Sequence, residues 1–280
     1  MVDKIVAVQS KLAQLGLAMQ PGDRLSQLAA LFTGPDGNMV TVRTTSPEFK
    51  TVLEASREFA LLEYTLNHWP FDPKDARATL KLKHSLKDPL LDWDVAHPAR
   101  GKSLQLELFV AALCHRAGFR PVTLAEPDVA CAVRDRPFGF AVKRALSPAD
   151  VLELVRDAAA QVQATGDRGV VFVDLSCAFS QRYGYVTRPL TEEECNQLHV
   201  AWVRKCIEPL HAPLRRTVRG SRTLAVFFWS SFLRFAPTTG WQPEICLMDV
   251  DTSQENRSHR RLYAAFRTTL TEAQPVQPYR

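Results

Sequence analysis

The sequence predicts an α/β protein that is built around a central mixed sheet with helices on both sides. Over residues 99–178, helical and strand patterns alternate in the order α-β-β-β-α-β. The segment 169–175 within this series is continuously apolar, as expected of a strand with both faces covered. The chain has 280 residues, of which 46% are hydrophobic and 23% are charged, and this composition is typical of a folded globular protein.

Residues 1–98 are expected to form a helical N-terminal region. Apolar residues recur at helical spacing near the start of the chain and again over 47–69. Ser46 and Pro47 are typical of a helix start, because serine caps free amides and proline fits the first turn. The segment 70–101 is rich in Pro, Asp and Lys, so we interpret it as a connection.

The predicted core, residues 99–178, carries clear signals at the ends of its two helices. Gly118 ends the first helix, because glycine favours the left-handed conformation found there. Ser147 and Pro148 begin the second helix, and Gly166 ends it. In chain order the elements are a helix over 103–117, strands over 121–125, 128–133 and 138–145, a helix over 147–164 and the strand 169–175.

Residues 179–280 are expected to form a C-terminal α/β extension that packs on the core. Thr191 and Glu194 match a capping box, which predicts a helix that ends near residue 210. The apolar runs that follow this helix are 224–232 and 245–250.

Composition and motifs exclude several classes of protein. The chain has 35 basic and 30 acidic residues, and its net charge of +5 permits an anionic partner. Its six cysteines include no CxxC pair, so we expect reduced thiols in a cytoplasmic protein. The longest apolar run, 223–233, is shorter than the roughly 20 residues of a membrane span, so no membrane partner is expected. The sequence has neither a P-loop nor a nucleophile elbow, which argues against nucleotide hydrolases and serine hydrolases of those types.

The second and third strands of the predicted core bring a carboxylate and an ammonium together. A hairpin loop at 135–136 would pair Asp128 with Lys143 and place Ala141 on the same face as Lys143. Carboxylates hold Mg²⁺ or a similar hard cation, which lowers the pKa of a bound water. A lysine beside the metal orients that water and offsets charge on a phosphate. The pattern therefore favours metal-assisted hydrolysis of a phosphodiester.

The same segment resembles the PD-(D/E)xK nuclease superfamily over residues 100–178. The residues that carry the likeness are Glu107 on the first helix, then Glu126-Pro127-Asp128, and then Ala141-Val142-Lys143. The resemblance implies a restriction-endonuclease-like core that cleaves nucleic acid, DNA in preference to RNA. It also implies Mg²⁺ or Mn²⁺ as the cofactor.

The resemblance further implies roles for individual residues. Asp128 would be the central metal ligand, Glu107 an auxiliary acid, and Lys143 the residue that orients the attacking water. Gln161 on the second helix is similar to a glutamine that many relatives place beside the active site.

One position departs from the family pattern, because Ala141 stands where a second acid is expected. In one explanation Asp157 supplies the missing carboxylate as a metal ligand, since it shares a helical face with Glu153 and Gln161. In a second, the fold is retained without catalysis, and the protein is a silent module that binds nucleic acid or a protein partner. In a third, Ala141 is an introduced inactivating change. The sequence leaves these explanations open.

A basic segment after the predicted core is the best candidate for phosphate contacts, although a merely solvated surface is an equally open interpretation. The arginines of this segment are Arg215, Arg216, Arg219 and Arg222, and Arg144, which follows Lys143 within the core, is a further candidate for binding nucleic acid. Whether the chain forms a homodimer or binds another protein also stays open.

Overall fold

A computed structural model describes the protein over residues 2–32, 48–72, 74–87, 100–183, 191–236, 240–252 and 257–272. The helices of this described part are α1 (Val2–Gln14), α2 (Arg24–Ala30), α3 (Glu48–His68), α4 (Ala76–Ser85), α5 (Arg100–Arg116), α6 (Val151–Thr165), α7 (Ser176–Tyr183), α8 (Glu192–Ile207), α9 (His211–Val218) and α10 (Arg257–Glu272). The strands are β1 (Val122–Thr123), β2 (Val129–Val133), β3 (Arg136–Arg144), β4 (Arg168–Asp174), β5 (Thr223–Ala236) and β6 (Gly240–Asp251).

The described strands form one mixed sheet in the order β1-β2-β3-β4-β5-β6. Strands β3, β4 and β5 are parallel, whereas β1, β2 and β6 pair antiparallel with their neighbours. Helix α6 connects the parallel strands β3 and β4, as a crossover must. The α/β class is therefore confirmed, and the elements from α5 to β4 follow the predicted order.

Helices cover both faces of the sheet, as the continuous apolar character of β4 predicts. One face packs against the N-terminal helices and α10, and its core includes Phe140, Val142 and Phe172. The other face packs against α6 to α9, and its core includes Ala141 and Val173. Because side chains alternate along a strand, neighbouring residues of β3 belong to opposite cores.

The β2–β3 hairpin turns at different residues from those predicted. Val133 pairs with Arg136, so Arg134 and Asp135 form the two-residue loop. Their φ angles are 50° and 60°, which is the left-handed conformation that this kind of tight hairpin turn requires. Glycine or asparagine normally supplies it, so the sequence contained no usual signal for this turn.

The predicted pairing of Asp128 with Lys143 is therefore wrong by two residues. Extended beyond β2, the observed register places Asp128 opposite Ala141. Strand side chains alternate with a period of two, so a shift of two residues leaves every side chain on its predicted face. Ala141 and Lys143 still share one face, as predicted.

Part of the segment 70–101 forms a helix. Helix α4 lies within it and packs on α5, so the interpretation of the whole segment as a connection is wrong. Asp75 caps α4 by accepting a hydrogen bond of 2.9 Å from the Ala78 N–H. The helix forms because this cap precedes good helix formers and because Leu82 is buried.

Two helix starts are predicted outside the core, and the structure describes one of them. The capping box of Thr191 and Glu194 is confirmed, with both reciprocal hydrogen bonds present at the start of α8. The predicted helix start at Ser46-Pro47 lies outside the described residues. None of the described helices is long and apolar enough to cross a membrane.

Candidate functional site

Charged side chains from two helices, one strand and a turn lie near the C-terminal end of β3. Asp128 lies just before β2, Lys143 lies on β3, Glu107 lies on α5, and Lys81 lies on α4. Glu107, Lys143 and Lys81 are all close enough to Asp128 to shift its pKa electrostatically. Asp128, Lys143 and Glu107, which the sequence predicted for one site, are thus brought together; we call this group with Lys81 the charged edge.

Asp128 is held in place by the neighbouring strand. The Val142 N–H donates a hydrogen bond of 2.8 Å to Asp128 Oδ2. The pKa of Asp128 is raised to about 6, chiefly by burial and to a smaller extent by the Glu107 carboxylate, while the Val142 hydrogen bond and the two ammoniums oppose the rise. The carboxylate is therefore poorly stabilised in its charged form, which is the condition that a bound cation would relieve.

Glu107 already has a cationic partner within the protein. Its Oε2 forms a short ion pair with Lys81 Nζ, and these side chains are only 13% and 14% exposed. The pair joins α5 to α4, two helices that pack together. Sequence reasoning missed Lys81, because α4 was not predicted; the Asp75 cap was the signal that could have revealed this helix.

Lys143 and Arg144 are neighbours on β3 but lie in different environments. Lys143 is half-buried on the same face as Ala141, beside Asp128. Arg144 is 8% exposed, and its Nε lies 3.4 Å from Asp174 Oδ2 at the end of β4. This burial places Arg144 inside the protein rather than on a surface that nucleic acid reaches.

Ala141 and Asp157 do not provide a third carboxylate. Ala141 is fully buried in the apolar core beneath α6. Asp157 is exposed on α6, and it is not among the charged groups that shift the pKa of Asp128. The structure therefore does not bring Asp157 to Asp128, as the explanation by a relocated acid requires.

Gln161 lies toward the other end of the parallel strands. The adjacent Val162 packs so closely on Gly169 that a Cβ there would lie 3.1 Å from Val162 Cγ1. Gly169 pairs with Gly139, which precedes Lys143 by four residues. At about 3.3 Å per residue this separates the level of Gln161 from Lys143 by roughly 13 Å along the sheet. The structure thus does not place Gln161 beside the charged edge.

The basic segment also lies away from the charged edge. Arg215 and Arg216 on α9, with Arg219 and Arg222 after it, are all exposed. Backbone hydrogen bonding of Arg222 to Gly169 places this segment at the N-terminal ends of β4 and β5. Lys143 lies at the C-terminal end of β3, so a nucleic acid that contacts both would have to extend across the sheet.

A groove of about 710 Å³ lies at the loop end of the β2–β3 hairpin. Arg134 and Arg261 line it, over an apolar floor that includes Phe119 and Val133. None of its described lining residues is acidic, and Arg134 is nine residues from Lys143 along the chain. The groove is therefore separate from the charged edge.

The charged edge offers two carboxylates to a cation. Within the described ranges, no group of three or more His, Cys, Asp or Glu side chains could hold a metal ion. Mg²⁺ needs fewer protein ligands than that, because it keeps several waters and commonly binds through one or two carboxylates together with substrate phosphates. Asp128 and Glu107 therefore fit Mg²⁺ or Mn²⁺ by the chemistry of their donor atoms.

No protein-family model matches this chain, and no curated protein matches it.

Proposed function

We propose that this protein is a metal-dependent nuclease that hydrolyses phosphodiester bonds, with DNA as the preferred nucleic acid. The observation that carries the proposal is the convergence of Glu107, Asp128 and Lys143 at the charged edge. The order of the elements from α5 to β4 gives further support, because it is the order that the resemblance to PD-(D/E)xK nucleases implies. On this proposal the segment is a restriction-endonuclease-like core.

Asp128 and Glu107 would hold Mg²⁺ or Mn²⁺. When bound there, the metal would lower the pKa of a coordinated water and polarise a phosphoryl oxygen. Asp128 is oriented for this role by the Val142 N–H, which fixes one oxygen of the carboxylate and leaves the other available. A cation would also stabilise the charged form of Asp128, whose pKa burial raises to about 6.

Lys143 would act on the water and on the phosphate. Its ammonium is a donor at the position where the attacking oxygen and the non-bridging phosphate oxygens would lie. It lies on the same strand face as Ala141, the position opposite Asp128 when the β2–β3 register is extended. An amine held there stabilises the negative charge that develops on the phosphate.

A second candidate function is a catalytically silent module that binds nucleic acid or a protein partner. The observation that favours it is the absence of a third acid at the charged edge: Ala141 is fully buried and Asp157 is exposed on α6. Two lysines would still attract a phosphate without cleaving it. The two candidates differ in one measurable property, which is metal-dependent cleavage.

The test is a cleavage assay on plasmid DNA, single-stranded DNA and RNA with Mg²⁺ or Mn²⁺. We expect the unsubstituted protein to cut DNA, Asp128→Ala to be inactive, and the matched control Asp157→Ala to keep full activity. If Ala141→Glu were the one variant that cleaved, the result would support the silent module, because a single carboxylate would then have restored its catalysis. An absence of cleavage in every variant would contradict the nuclease proposal.

A further inference from the structure

We propose that Lys81 couples metal binding at the charged edge to nucleic-acid binding, by neutralising Glu107 until a phosphate arrives. This inference rests on the proposed function and adds a regulatory role for a residue outside the nuclease-like core. Three features of the charged edge carry it: the ion pair of Lys81 with Glu107, the balance of charge, and the burial of the groups.

The ion pair engages one oxygen of a carboxylate that would bind the metal. Lys81 Nζ contacts Glu107 Oε2, the carboxylate that would join Asp128 in holding a cation. The two side chains are only 14% and 13% exposed, so water screens their attraction little. A cation that binds Glu107 must therefore either displace this ammonium from Oε2 or bind Oε1 beside its positive charge.

The charges of the site are balanced without a metal. Glu107 and Asp128 carry two negative charges when ionised, and Lys81 and Lys143 carry two positive charges. A divalent cation would add two positive charges to a half-buried group whose negative charges are already compensated. Unbalanced charge is costly where water is partly excluded, so the free protein is expected to bind the metal weakly.

Nucleic acid supplies the negative charge that is missing. Each phosphate brings one negative charge and several acceptor oxygens. The Lys81 ammonium is a compact charge on a flexible stem with three donors, so it can leave Glu107 and contact a phosphate oxygen nearby. Metal and phosphate then enter together, and each raises the affinity of the other by the same factor.

Ala141 is part of this balance. An acid at this position, which the family pattern expects, would add a third negative charge opposite Asp128. Such a site would have an excess of negative charge and would bind a cation without help. The alanine removes that excess, and this makes the metal dependent on the phosphate.

The experiment measures Mn²⁺ binding by calorimetry and by electron paramagnetic resonance, using the full chain. Each protein is titrated alone and with a duplex phosphorothioate oligonucleotide that resists cleavage. The variants are Lys81→Met and Lys81→Gln, with Lys81→Arg as the control that keeps the charge. Asp128→Asn defines the Mn²⁺ signal that belongs to the charged edge rather than to the oligonucleotide.

We expect the oligonucleotide to raise the Mn²⁺ affinity of the wild-type protein by about tenfold or more. Lys81→Met and Lys81→Gln should bind Mn²⁺ about tenfold more tightly than wild type without oligonucleotide, and should gain little when it is added. Lys81→Arg should behave as wild type.

Equal Mn²⁺ affinities for wild type and both uncharged variants would overturn the coupling by Lys81. If that binding were still lost in Asp128→Asn, the proposed nuclease site would stand without the coupling. If no variant bound Mn²⁺ under either condition, the metal site itself would be excluded, and the coupling with it.

Discussion

Two charged clusters in this protein use the same two structural elements but differ in burial and in balance. Helix α5 contributes Gln105 to a buried cluster and Glu107 to the charged edge, two residues apart. Strand β3 likewise contributes one residue to each, because Arg144 lowers the pKa of Glu58 in the buried cluster and Lys143 lowers the pKa of Asp128 at the charged edge. The comparison shows how adjacent positions on one element can serve stability and function separately.

The buried cluster is centred on Glu58 of α3 and Arg24 of α2. Arg24 donates hydrogen bonds of 2.7 Å to Glu58, to Gln105 and to the Ser85 carbonyl. The Arg24 and Glu58 side chains have no exposed surface. Burial alone would raise the pKa of Glu58, but the surrounding cations, Arg24 first among them, outweigh it and hold the pKa well below its usual range.

The charged edge shows the opposite outcome for its carboxylate. Burial raises the pKa of Asp128 to about 6, and the nearby lysines do not overcome it. The difference is that Glu58 has a cation in direct contact, whereas Asp128 has one backbone hydrogen bond and a second carboxylate nearby. A carboxylate left in this state is the kind of group that a ligand completes.

The largest expected effect comes from breaking the buried cluster. Glu58→Gln leaves the Arg24 guanidinium buried without its counter-ion, so we expect a loss of about 3–5 kcal/mol in the free energy of unfolding. Urea denaturation measures it. Replacing both residues by Met should recover much of the loss, because no unpaired charge remains. A loss below about 1 kcal/mol in Glu58→Gln would show that the ion pair between Arg24 and Glu58 contributes little to stability.

A new carboxylate beside the charged edge should lower stability by a smaller amount, and a bound metal should restore part of it. Ala141→Glu inserts a charged and larger side chain into a fully buried position, which should lower stability by about 2 kcal/mol in the presence of EDTA. Saturating Mg²⁺ should restore part of this loss, since it binds the folded protein. Thermal unfolding with and without Mg²⁺ gives the comparison, and a Mg²⁺ shift no larger than in wild type would count against a cation site at Asp128.

The pH dependence of stability provides a smaller and more specific test. The pKa of Asp128 rises from 3.8 to about 6 on folding, so the acid form favours folding and that stabilisation is lost between about pH 4 and 6. Asp128→Asn retains a neutral side chain throughout. The stability of Asp128→Asn relative to wild type should therefore rise from below about 1 kcal/mol at pH 4 to about 3 kcal/mol at pH 7, without divalent metal.

Subtracting the two stability curves removes the other titrations. His199 is the main example, because burial lowers its pKa to about 3 and makes folding less favourable as the pH falls below its ordinary value. That contribution is the same in both proteins. A difference between the curves that is flat from pH 4 to 7 would show that Asp128 titrates normally.

The smallest expected effect concerns the exposed arginines of α9. Arg215→Gln combined with Arg216→Gln should weaken DNA binding equally for all sequences and reduce the salt slope by about 2 if each contacts a phosphate. Stability should change by less than about 0.5 kcal/mol, because both side chains are exposed. If the dependence of DNA affinity on salt concentration were unchanged, these arginines would not contact DNA.

Most of the sheet could be predicted, because its signals are local. The apolar run of β4, the Ser147 cap and the ends at Gly118 and Gly166 each depend on a few neighbouring residues. The hairpin register could not be predicted, because Arg134 and Asp135 adopt a conformation that their types rarely take. Even so, the two-residue error did not move any side chain to the wrong face.

The charged edge could be predicted only in part, because it combines local and distant residues. Asp128 and Lys143 lie on one hairpin, and Glu107 lies on the preceding helix, so short-range patterns were sufficient to group them. Lys81 is 26 residues from Glu107, and only the packing of α4 on α5 brings it there. The burial of Arg144 likewise depends on Asp174, which a crossover helix separates from it.

The most direct test of the account is the rate of Mg²⁺-dependent plasmid cleavage by Lys143→Gln relative to wild type. Lys143 belongs to the charged edge and its neighbour Arg144 to the buried cluster. We therefore expect cleavage to fall by about 10²-fold or more, while the free energy of unfolding stays within about 1 kcal/mol of wild type. Wild-type cleavage by a folded Lys143→Gln would contradict the assignment of the charged edge as the catalytic site.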